Sequence, residues 1–452
     1  MTTAYGETMG RLFGTDGVRG VANTELAPED ALLIGRSAVE FFRTKTRRPK
    51  LLVGSDPRIS SDMLEAALCA GLCSGGADVL RLGVVTTPAV ACLIRLNGAD
   101  GGAMISASHN PFEYNGIKLF GHDGYKLRDE VEDRIEALFK ARRPATIQGS
   151  TLGRSETDTE IIDQYIDYLV GTATRNFRGT KVVIDCANGS ASAVSPRTFR
   201  RLGAEVYAIH NRPDGTNINV DCGSTSPDSL QRAVIERGAD VGLAHDGDAD
   251  RLIAVDENGE ITDGDQIMTI CGLHMIRKGA LKERTVVATV MSNMGLDIAF
   301  RKAGGRVIKT RVGDRYVLEE MRHEGYNLGG EQSGHIIFSE LGTTGDGILT
   351  AIQLLSVMKE TGYPLSKLAK QMERLPQVLV NTRVSRLDRF EANAKIAIAI
   401  EDAEDELGDR GRVLVRPSGT EPLIRVMVEC EDGQQARRIA QNLVDVVKRE
   451  LE

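Results

Sequence analysis

Four short polar segments of this sequence carry side chains whose types and spacing could do chemistry together. In the first, an apolar run ends in small residues, and Ser108 stands between Ala107 and His109, so that its hydroxyl could face a cleft. A serine in such a loop can act as a nucleophile, but on these residues alone a polar loop that caps the next element is the favoured interpretation. The case for a nucleophile therefore depends on the other three segments.

The second segment is an acidic loop that suits a divalent cation. Asp246, Asp248 and Asp250 alternate, and in an extended loop their side chains would share one side. Such carboxylates repel one another by roughly a few kcal/mol per pair, and a hard cation such as Mg²⁺ removes that penalty. The calcium-binding EF-hand pattern is excluded, because its sixth position needs a glycine and is Arg251 here, and because the flanks predict strands. A solvated acidic turn is the alternative interpretation.

The third segment offers groups that suit a sugar. Glu331, Ser333 and His335 place an acceptor, a hydroxyl and an imidazole within five residues. Sugar hydroxyls both donate and accept hydrogen bonds, so this mixture fits them.

The fourth segment, Arg416–Pro422 with Arg425 beyond it, has the composition of a phosphate-binding loop. A planar guanidinium, hydroxyls and a glycine can together enclose phosphate oxygens. A hairpin turn in which Arg416 pairs with Glu421 accounts for these residues equally well.

Proton transfer has two candidates near the serine. Lys118 follows the serine loop in the next strand, where it could be a surface charge or point back to Ser108, and His109 competes with it for this role. A second glycine-spaced loop, Gly14–Gly20, contains Arg19 and is weak evidence by itself.

Strands and helices alternate along the chain, which predicts an α/β architecture with largely parallel sheets. One unit of strand, helix, strand, helix and third strand occurs three times in the sequence pattern, beginning at Leu51, Val182 and Val286. The third strand of each copy leads into one of the loops described above. Open α/β sheets bind ligands beyond the carboxyl ends of their strands, so we expect the three loops to face one site.

The chain is too long for a single core, and changes in composition predict four domains. Their predicted ranges are 1–155 with the serine loop, 156–260 with the acidic loop, 261–372 with the sugar loop and 373–452 with the arginine loop. The last has a different plan, with strand runs at 378–384 and 412–415, an acidic helix between them and a closing helix.

Composition excludes several classes of partner. A net charge of −8 argues against nucleic acid, because binding to its backbone needs a positive surface. The seven scattered cysteines form no CxxC pair and are typical of reduced thiols in a cytosolic protein. Since there is no apolar run of about 18 residues and no charged leader with an apolar segment, we predict a cytoplasmic protein without a membrane span.

The four segments occur in the order and at the spacing of the α-D-phosphohexomutases, which the whole chain resembles. The matching pieces are Ser106–Pro111 for the phosphoserine loop, Asp246–Arg251 for the metal loop, Glu331–His335 for the sugar loop and Arg416–Pro422 for the phosphate loop. Leu12–Gly20 and Gln332 further resemble the branch of the family that acts on glucosamine phosphates.

The resemblance implies four α/β domains around a central cleft, the first three alike with mixed sheets and the fourth a smaller α+β domain. It implies an isomerase that interconverts glucosamine 6-phosphate and glucosamine 1-phosphate, with Ser108 as a phosphoserine and glucosamine 1,6-bisphosphate as intermediate and activator. This reaction would feed UDP-N-acetylglucosamine synthesis. One Mg²⁺ per active site would be held by Ser108, Asp246, Asp248 and Asp250.

The same resemblance implies roles for individual residues. The implied catalytic residues are Ser108, His109, Lys118, Arg19 and His335. The implied substrate-binding residues are Thr15, Arg251, Glu331, Ser333, Arg416, Ser418, Gly419, Thr420 and Arg425. The expected partner is a small phosphosugar, with neither nucleic acid nor membrane, and the resemblance permits a homodimer.

Three alternatives stay open on the sequence. A phosphomannomutase or phosphoglucomutase would use the same mechanism on another hexose. A non-catalytic sugar-phosphate sensor would keep the phosphate loop alone, and the serine beside a metal loop argues against it. A magnesium phosphatase would use the aspartates without the serine.

Overall fold

The computed structural model describes residues 11–14, 16–43, 48–142, 147–417 and 423–452. Four sheets are assigned in these ranges, each with its own helices. The predicted α/β fold with mixed sheets is confirmed.

The first sheet contains the strand that precedes the serine loop. Its elements are β1 (Val18–Val21), α1 (Pro28–Arg43), β2 (Lys50–Ser55), α2 (Ser61–Gly75), β3 (Asp78–Val84), α3 (Thr87–Leu96), β4 (Gly101–Ile105), β5 (Tyr114–Gly121), α4 (Asp129–Ala141) and β6 (Ser155–Thr157). The strand order is β1-β5-β4-β2-β3-β6. Every residue of β4 is buried, as is usual for a central strand covered on both faces.

The second sheet contains the strand that precedes the acidic loop. Its elements are α5 (Ile162–Thr172), β7 (Lys181–Asp185), α6 (Ala191–Arg201), β8 (Glu205–Ile209), α7 (Asp228–Arg237), β9 (Val241–Ala244), β10 (Ile253–Asp256) and β11 (Ile261–Thr262). The strand order is β11-β10-β9-β7-β8.

The third sheet contains the strand that precedes the sugar loop. Its elements are α8 (Gly264–Arg277), β12 (Thr285–Thr289), α9 (Met294–Lys302), β13 (Arg306–Thr310), α10 (Asp314–Glu324), β14 (Leu328–Gly330), β15 (Ile336–Phe338), α11 (Gly347–Thr361) and α12 (Leu365–Ala369). The strand order is β13-β12-β14-β15. Asp263 begins α8 with a capping box to Gln266, which satisfies donors that the first helical turn leaves free.

The three sheets share one pattern of strands, which confirms the repeat predicted from the sequence. The orders β5-β4-β2-β3, β10-β9-β7-β8 and β15-β14-β12-β13 are equivalent. In each, the third strand of the unit pairs in parallel with the first and antiparallel with the strand that follows it. The three candidate loops therefore leave equivalent strands at their carboxyl ends.

The last part of the chain has the different plan that the sequence predicts, with one addition. Its elements are β16 (Gln377–Arg383), α13 (Ala394–Leu407), β17 (Gly411–Pro417), β18 (Leu423–Cys430) and α14 (Gly433–Leu451). The two predicted strand runs omit β18, which is the central strand and pairs antiparallel with both others. The apolar face of α14 packs on this sheet and gives it a separate core.

The chain divides into two compact units. One contains the residues up to Val290 together with Ile308–Lys370, and the other contains Met291–Val307 and Gln371–Glu452. The second unit therefore includes α9 as well as the last sheet. The four domain ranges given above stay a prediction. Within the described ranges, every helix is too short or too polar to cross a bilayer.

Candidate active site

The serine loop leaves β4 with a strained backbone. Ser108 is 1% exposed and has a φ of 53°, a left-handed conformation that residues with a side chain rarely adopt. Its N–H donates to Ser106 Oγ at 2.9 Å, and Ser106 Oγ donates to Asp56 Oδ2 at 2.6 Å. Such a conformation persists only where surrounding contacts enforce it, and it is common at functional sites.

Arg58 enforces the shape of the serine loop from outside it. Its guanidinium is buried and donates to the carbonyl oxygens of Ser108 at 2.8 Å, Asn110 at 2.9 Å and Tyr114 at 3.1 Å, and also to that of Pro111. Asp56 Oδ2 lies 2.9 Å from Arg58 Nε and balances its charge. The loop is thus held by bonds to its main chain.

The acidic loop between β9 and β10 is a turn, so the expectation of an extended loop is wrong. Ala249 has a φ of 59°, and this left-handed residue bends the chain between the second and third aspartates. The bend brings one carboxylate oxygen from each of Asp246, Asp248 and Asp250 to within 4.8 Å of the others. The three carboxylates therefore lie together as the residue types predict, but a turn brings them together and not an extended loop.

The serine and acidic loops are in direct contact. Ser108 Oγ donates to Asp246 Oδ2 at 2.6 Å. Asn219 supports the contact by donating from Nδ2 to the Ser108 carbonyl at 2.9 Å. The hydroxyl and the three acids therefore share one buried site, although they come from different sheets.

Lys118 points into this site and is not a surface charge. Its Nζ lies 2.8 Å from Asp248 Oδ2, 3.0 Å from Asp16 Oδ2 and 3.8 Å from Asp250 Oδ2. Thr87 Oγ1 donates to Asp248 Oδ2 at 2.6 Å and fixes that carboxylate further. The ammonium is shared among several acids, so it cannot fully compensate any one of them.

The charges of the site explain its pKa shifts. Burial raises the pKa of Asp246 and of Asp250, and the neighbouring carboxylates raise both further. Burial acts on Asp248 as well, but the Lys118 ammonium outweighs it and lowers the pKa of that carboxyl. Burial would lower the pKa of Lys118, yet Asp16, Asp248 and Asp250 raise it overall. Negative charge is in excess.

The three carboxylates fit a hard divalent cation such as Mg²⁺. Asp248 Oδ1 and Asp250 Oδ1 are buried without a hydrogen-bond partner in the part of the chain that the structure describes. Buried oxygens in this state are costly unless a ligand meets them. Carboxylate oxygens are the ligands that Mg²⁺ prefers, so the residues present suit the ion that the sequence predicts.

His109 lies beside the nucleophile as a neutral imidazole. Burial and the guanidinium groups of Arg251 and Arg19 lower the pKa of His109 to about 4. Its Nδ1 is buried and makes no hydrogen bond to the described residues. Arg19 pairs with Asp16. Thr15, predicted to bind substrate, lies outside the described residues.

The sugar loop meets the acidic loop through its backbone. Arg251 and His335 form an isolated antiparallel bridge, and His335 Nε2 lies 3.9 Å from Asp250 Oδ2. Both ring nitrogens of His335 are buried without a hydrogen-bond partner among the described residues. Glu331 Oε1 accepts from Gly313 N at 3.1 Å, and Ser333 is exposed. The third predicted loop is therefore at the same site.

The arginine segment belongs to the second compact unit. Arg416 on β17 and Arg425 on β18 are directly opposite cross-strand partners. Burial and the neighbouring Arg425 lower the pKa of Arg416, and Arg425 Nε is buried without a partner in the described ranges. Like charges placed opposite each other are unfavourable unless an anion joins them. Ser418, Gly419 and Thr420 lie outside the described residues, as does the alternative partner Glu421.

Several residues at the site were not assigned a role from the sequence. They are Asp16, Asp56, Arg58, Thr87, Lys126, Asn219 and Asp314. Asp56 and Arg58 directly follow β2, at the sheet edge where ligand sites occur, and this position was the available signal. The others reach the site through long-range contacts that no local pattern indicates.

Four domain models of one protein family match this chain. The models of the phosphoglucomutase/phosphomannomutase family match in order, with α/β/α domain I at residues 10–145, domain II at 163–259, domain III at 263–375 and the C-terminal domain at 379–446. The chain belongs to the phosphoglucomutase/phosphomannomutase family. The superfamily resemblance noted in the sequence is thereby confirmed.

Relatives within this family are similar over nearly the whole chain. The phosphoglucosamine mutase of Clostridium novyi (strain NT) is 54% identical to this chain over 444 residues. The matched region covers 97% of this chain and 99% of the Clostridium protein. A family protein from Burkholderia thailandensis has a solved structure with a TM-score of 0.83 and 25% identity, covering 98% of each chain.

A more distant structure shares the fold. It is the N-acetylphosphoglucosamine mutase of Aspergillus fumigatus, solved in complex with GlcNAc-6P and magnesium. The TM-score is 0.66 at 18% identity, covering 98% of this chain and 96% of that one.

Proposed function

We propose that this chain is a phosphoglucosamine mutase, which interconverts glucosamine 6-phosphate and glucosamine 1-phosphate. The observation that carries the proposal is the 2.6 Å hydrogen bond between the Ser108 hydroxyl and Asp246, which joins a nucleophile to an acidic triad. The Clostridium novyi relative named above, 54% identical to this chain, supports the choice of substrate.

Ser108 carries the phosphoryl group between the two ends of the sugar. In the first half-reaction, the Oγ–P bond of phosphoserine breaks and a bond from P to sugar O1 forms, while the O1 proton passes to a base and Ser108 Oγ takes up a proton. In the second, the O6–P bond of glucosamine 1,6-bisphosphate breaks and the phosphoryl group returns to Ser108 Oγ, whose proton passes to a base while O6 takes up a proton. His109 and Lys118 are the groups proposed to move these protons.

Asp246, Asp248 and Asp250, together with a phosphate oxygen on Ser108, would hold one Mg²⁺ per active site. When bound, the ion supplies positive charge next to the transferring phosphoryl group. The left-handed backbone at Ser108 aims its hydroxyl at the acids, and the buried surroundings exclude water that would otherwise hydrolyse the phosphoserine.

The remaining side chains bind and orient the sugar phosphate. Glu331 and Ser333 would contact the sugar hydroxyls, and Thr15, Arg19, Arg251 and His335 would line the cleft. The distal phosphate would be bound by Arg416, Ser418, Gly419, Thr420 and Arg425. The facing pair of Arg416 and Arg425 supports this assignment, because the two guanidinium groups need an anion between them.

Product analysis with glucosamine 6-phosphate, Mg²⁺ and a trace of bisphosphate tests the proposal. The wild-type chain should form glucosamine 1-phosphate, and Ser108→Ala should lose nearly all turnover while keeping its fold. Ser74→Ala in α2 should keep full turnover as the matched control. A higher kcat/KM with mannose or glucose 6-phosphate would assign another hexose.

Two outcomes would assign another class of protein. Release of free phosphate by both the wild-type chain and Ser108→Ala would assign a phosphatase. Tight binding of the sugar phosphate without turnover would assign a sensor.

A further inference from the structure

A second group of side chains that could hold a metal ion lies at the carboxyl ends of β7 and β8. Asp185 ends β7, His210 follows β8, and Cys222 lies in the connection to α7. One ligand atom from each lies within 4.8 Å of the other two. His210 Nδ1 is 3.0 Å from Asp185 Oδ2. These groups are an imidazole, a carboxylate and a thiol, so they differ in chemistry from the three aspartates.

The backbone between these residues is shaped to bring them together. His210 has a φ of 43° and Asp221 a φ of 49°, so the connection bends sharply at each end. Asp185 and Cys222 are fully buried, whereas the His210 side chain is 31% exposed. The cluster is thus open to solvent on its histidine side, where a cation can enter and keep a water ligand.

We propose that Asp185, His210 and Cys222 bind a borderline divalent cation, with Zn²⁺ as the best match. Thiolate, imidazole and carboxylate are the usual protein ligands of Zn²⁺, and three of them with one open position form a recognised coordination set. A thiolate ligand disfavours Mg²⁺, which the aspartates select instead. As the ion binds, the thiol proton of Cys222 and the second ring proton of a charged His210 leave to solvent, because the ligands are a thiolate and a neutral imidazole.

A reactive cysteine does not account for the cluster. Burial and the nearby Asp185 carboxylate raise the pKa of Cys222 to about 12, so without a cation the sulfur stays a neutral thiol. Asp185 Oδ1 accepts from Ala187 N at 2.9 Å and Oδ2 from Gly223 N at 3.0 Å. A carboxylate oxygen can accept more than one bond, so Oδ1 keeps a lone pair for an ion.

The proposed ion would tie together a connection that touches both catalytic loops. Ser224 N donates to the His245 carbonyl at 2.8 Å, next to the first aspartate. Asn219, three residues before Cys222, donates to the Ser108 carbonyl at 2.9 Å. Binding should therefore stabilise the connection and raise the melting temperature.

Titration with Co²⁺ in excess Mg²⁺ tests the proposal on the full chain, because Co²⁺ replaces Zn²⁺ and reports its ligands. One equivalent should give the sulfur-to-cobalt charge-transfer band in the near ultraviolet, and Zn²⁺ should displace it. Cys222→Ser should abolish the band, and His210→Gln should weaken Co²⁺ binding at least tenfold. The band should persist in Cys271→Ser, a buried cysteine on α8, and in Asp250→Asn.

The outcomes separate the proposal from its alternatives. A wild-type chain without the band, or a band that survives in Cys222→Ser, would overturn it. If Cys222→Ser does not fold, the partly exposed His210→Gln carries the test, and unchanged Co²⁺ affinity in that variant would refute the site. None of these readouts depends on mutase activity.

Discussion

A Cβ atom on Gly247 would lie 2.5 Å from the carbonyl oxygen of Ser108. The acidic loop and the serine loop therefore meet backbone to backbone at this point, and only glycine permits the approach. Ile218 Cδ1, at 2.8 Å from the same Cβ position, closes the other side. The contact sets the distance between the nucleophile and the three acids.

Gly247→Ala should separate the two loops. Because main-chain atoms must move, we expect a loss of about 1–3 kcal/mol in the free energy of unfolding and a fall of roughly 100-fold in kcat. Gly171→Ala is the matched control, since nothing lies within 4 Å of its Cβ position in α5. Steady-state kinetics and denaturant unfolding measure both effects, and wild-type kcat in Gly247→Ala would contradict the contact.

Arg58→Met should damage stability and activity for different reasons. Removing the guanidinium leaves Asp56 as an unpaired buried charge, which costs about 3–5 kcal/mol. The double variant Asp56→Asn/Arg58→Met should recover much of the unfolding free energy, because the buried charge is gone. Turnover should stay low in both variants, since the serine loop loses four main-chain bonds. Recovery of turnover along with stability would argue against a positioning role.

Asp250→Asn should separate metal binding from folding. The substitution removes one of three mutually repelling carboxylates, so the metal-free protein should become more stable. The increase in melting temperature on adding Mg²⁺ should shrink, and Mg²⁺ affinity should fall by more than the roughly 10–100-fold that loss of an outer-shell partner costs. Thermal unfolding with and without EDTA measures both changes. A full Mg²⁺ response in the variant would exclude Asp250 as a ligand.

Arg416→Ala should raise KM and also lower kcat, because binding energy at the distal phosphate orients the reacting end of the sugar. Inorganic phosphate should raise the melting temperature of the wild-type chain, since it joins the facing arginines, and should do so less in the variant. Arg438→Ala on α14 is the control, and its kinetics should not change. Equal phosphate responses in all three proteins would rule out the arginine pair as an anion site.

Stability at acid pH should depend on Glu360. Hydrogen bonds from Lys278 and Thr174 lower the pKa of Glu360 to about 2, below its value in the unfolded chain. The stabilisation is therefore present above the unfolded pKa and is lost as the pH falls from about 4.5 towards 2. Because the network is near the surface, Glu360→Gln should remove about 1 kcal/mol from the free energy of unfolding at pH 7. The variant should also lose less of this free energy than the wild-type chain as the pH falls.

Urea unfolding across this pH range measures the effect. Glu156→Gln, at an exposed position on β6, serves as the control. If the free energy of unfolding of Glu360→Gln falls with decreasing pH as steeply as that of the wild-type chain, another group is responsible for the stabilisation.

Much of the fold could be predicted because its signals are local. The threefold unit follows from strand and helix patterns, and the residue types of the acidic loop indicate its chemistry wherever it folds. The turn at Ala249 could not be predicted, since alternation suggests an extended loop and only the packed structure imposes the left-handed residue. The sequence prediction omits β18, because the charged residues Arg425 and Glu429 interrupt the apolar pattern of this strand. The roles of both residues depend on tertiary contacts.

The role of Arg58 could not be predicted from the sequence for a further reason. Its partners are carbonyl oxygens, which every residue possesses, so nothing in the sequence of the serine loop marks it as the target.

Because Arg58 binds main-chain oxygens, the conformation of the serine loop depends on a segment more than forty residues upstream. Transplanting residues 106–111 alone into another scaffold would transfer the hydroxyl without the geometry that aims it. A portable unit must include the Asp56–Arg58 segment as well as the loop, so an enzyme designer should graft both.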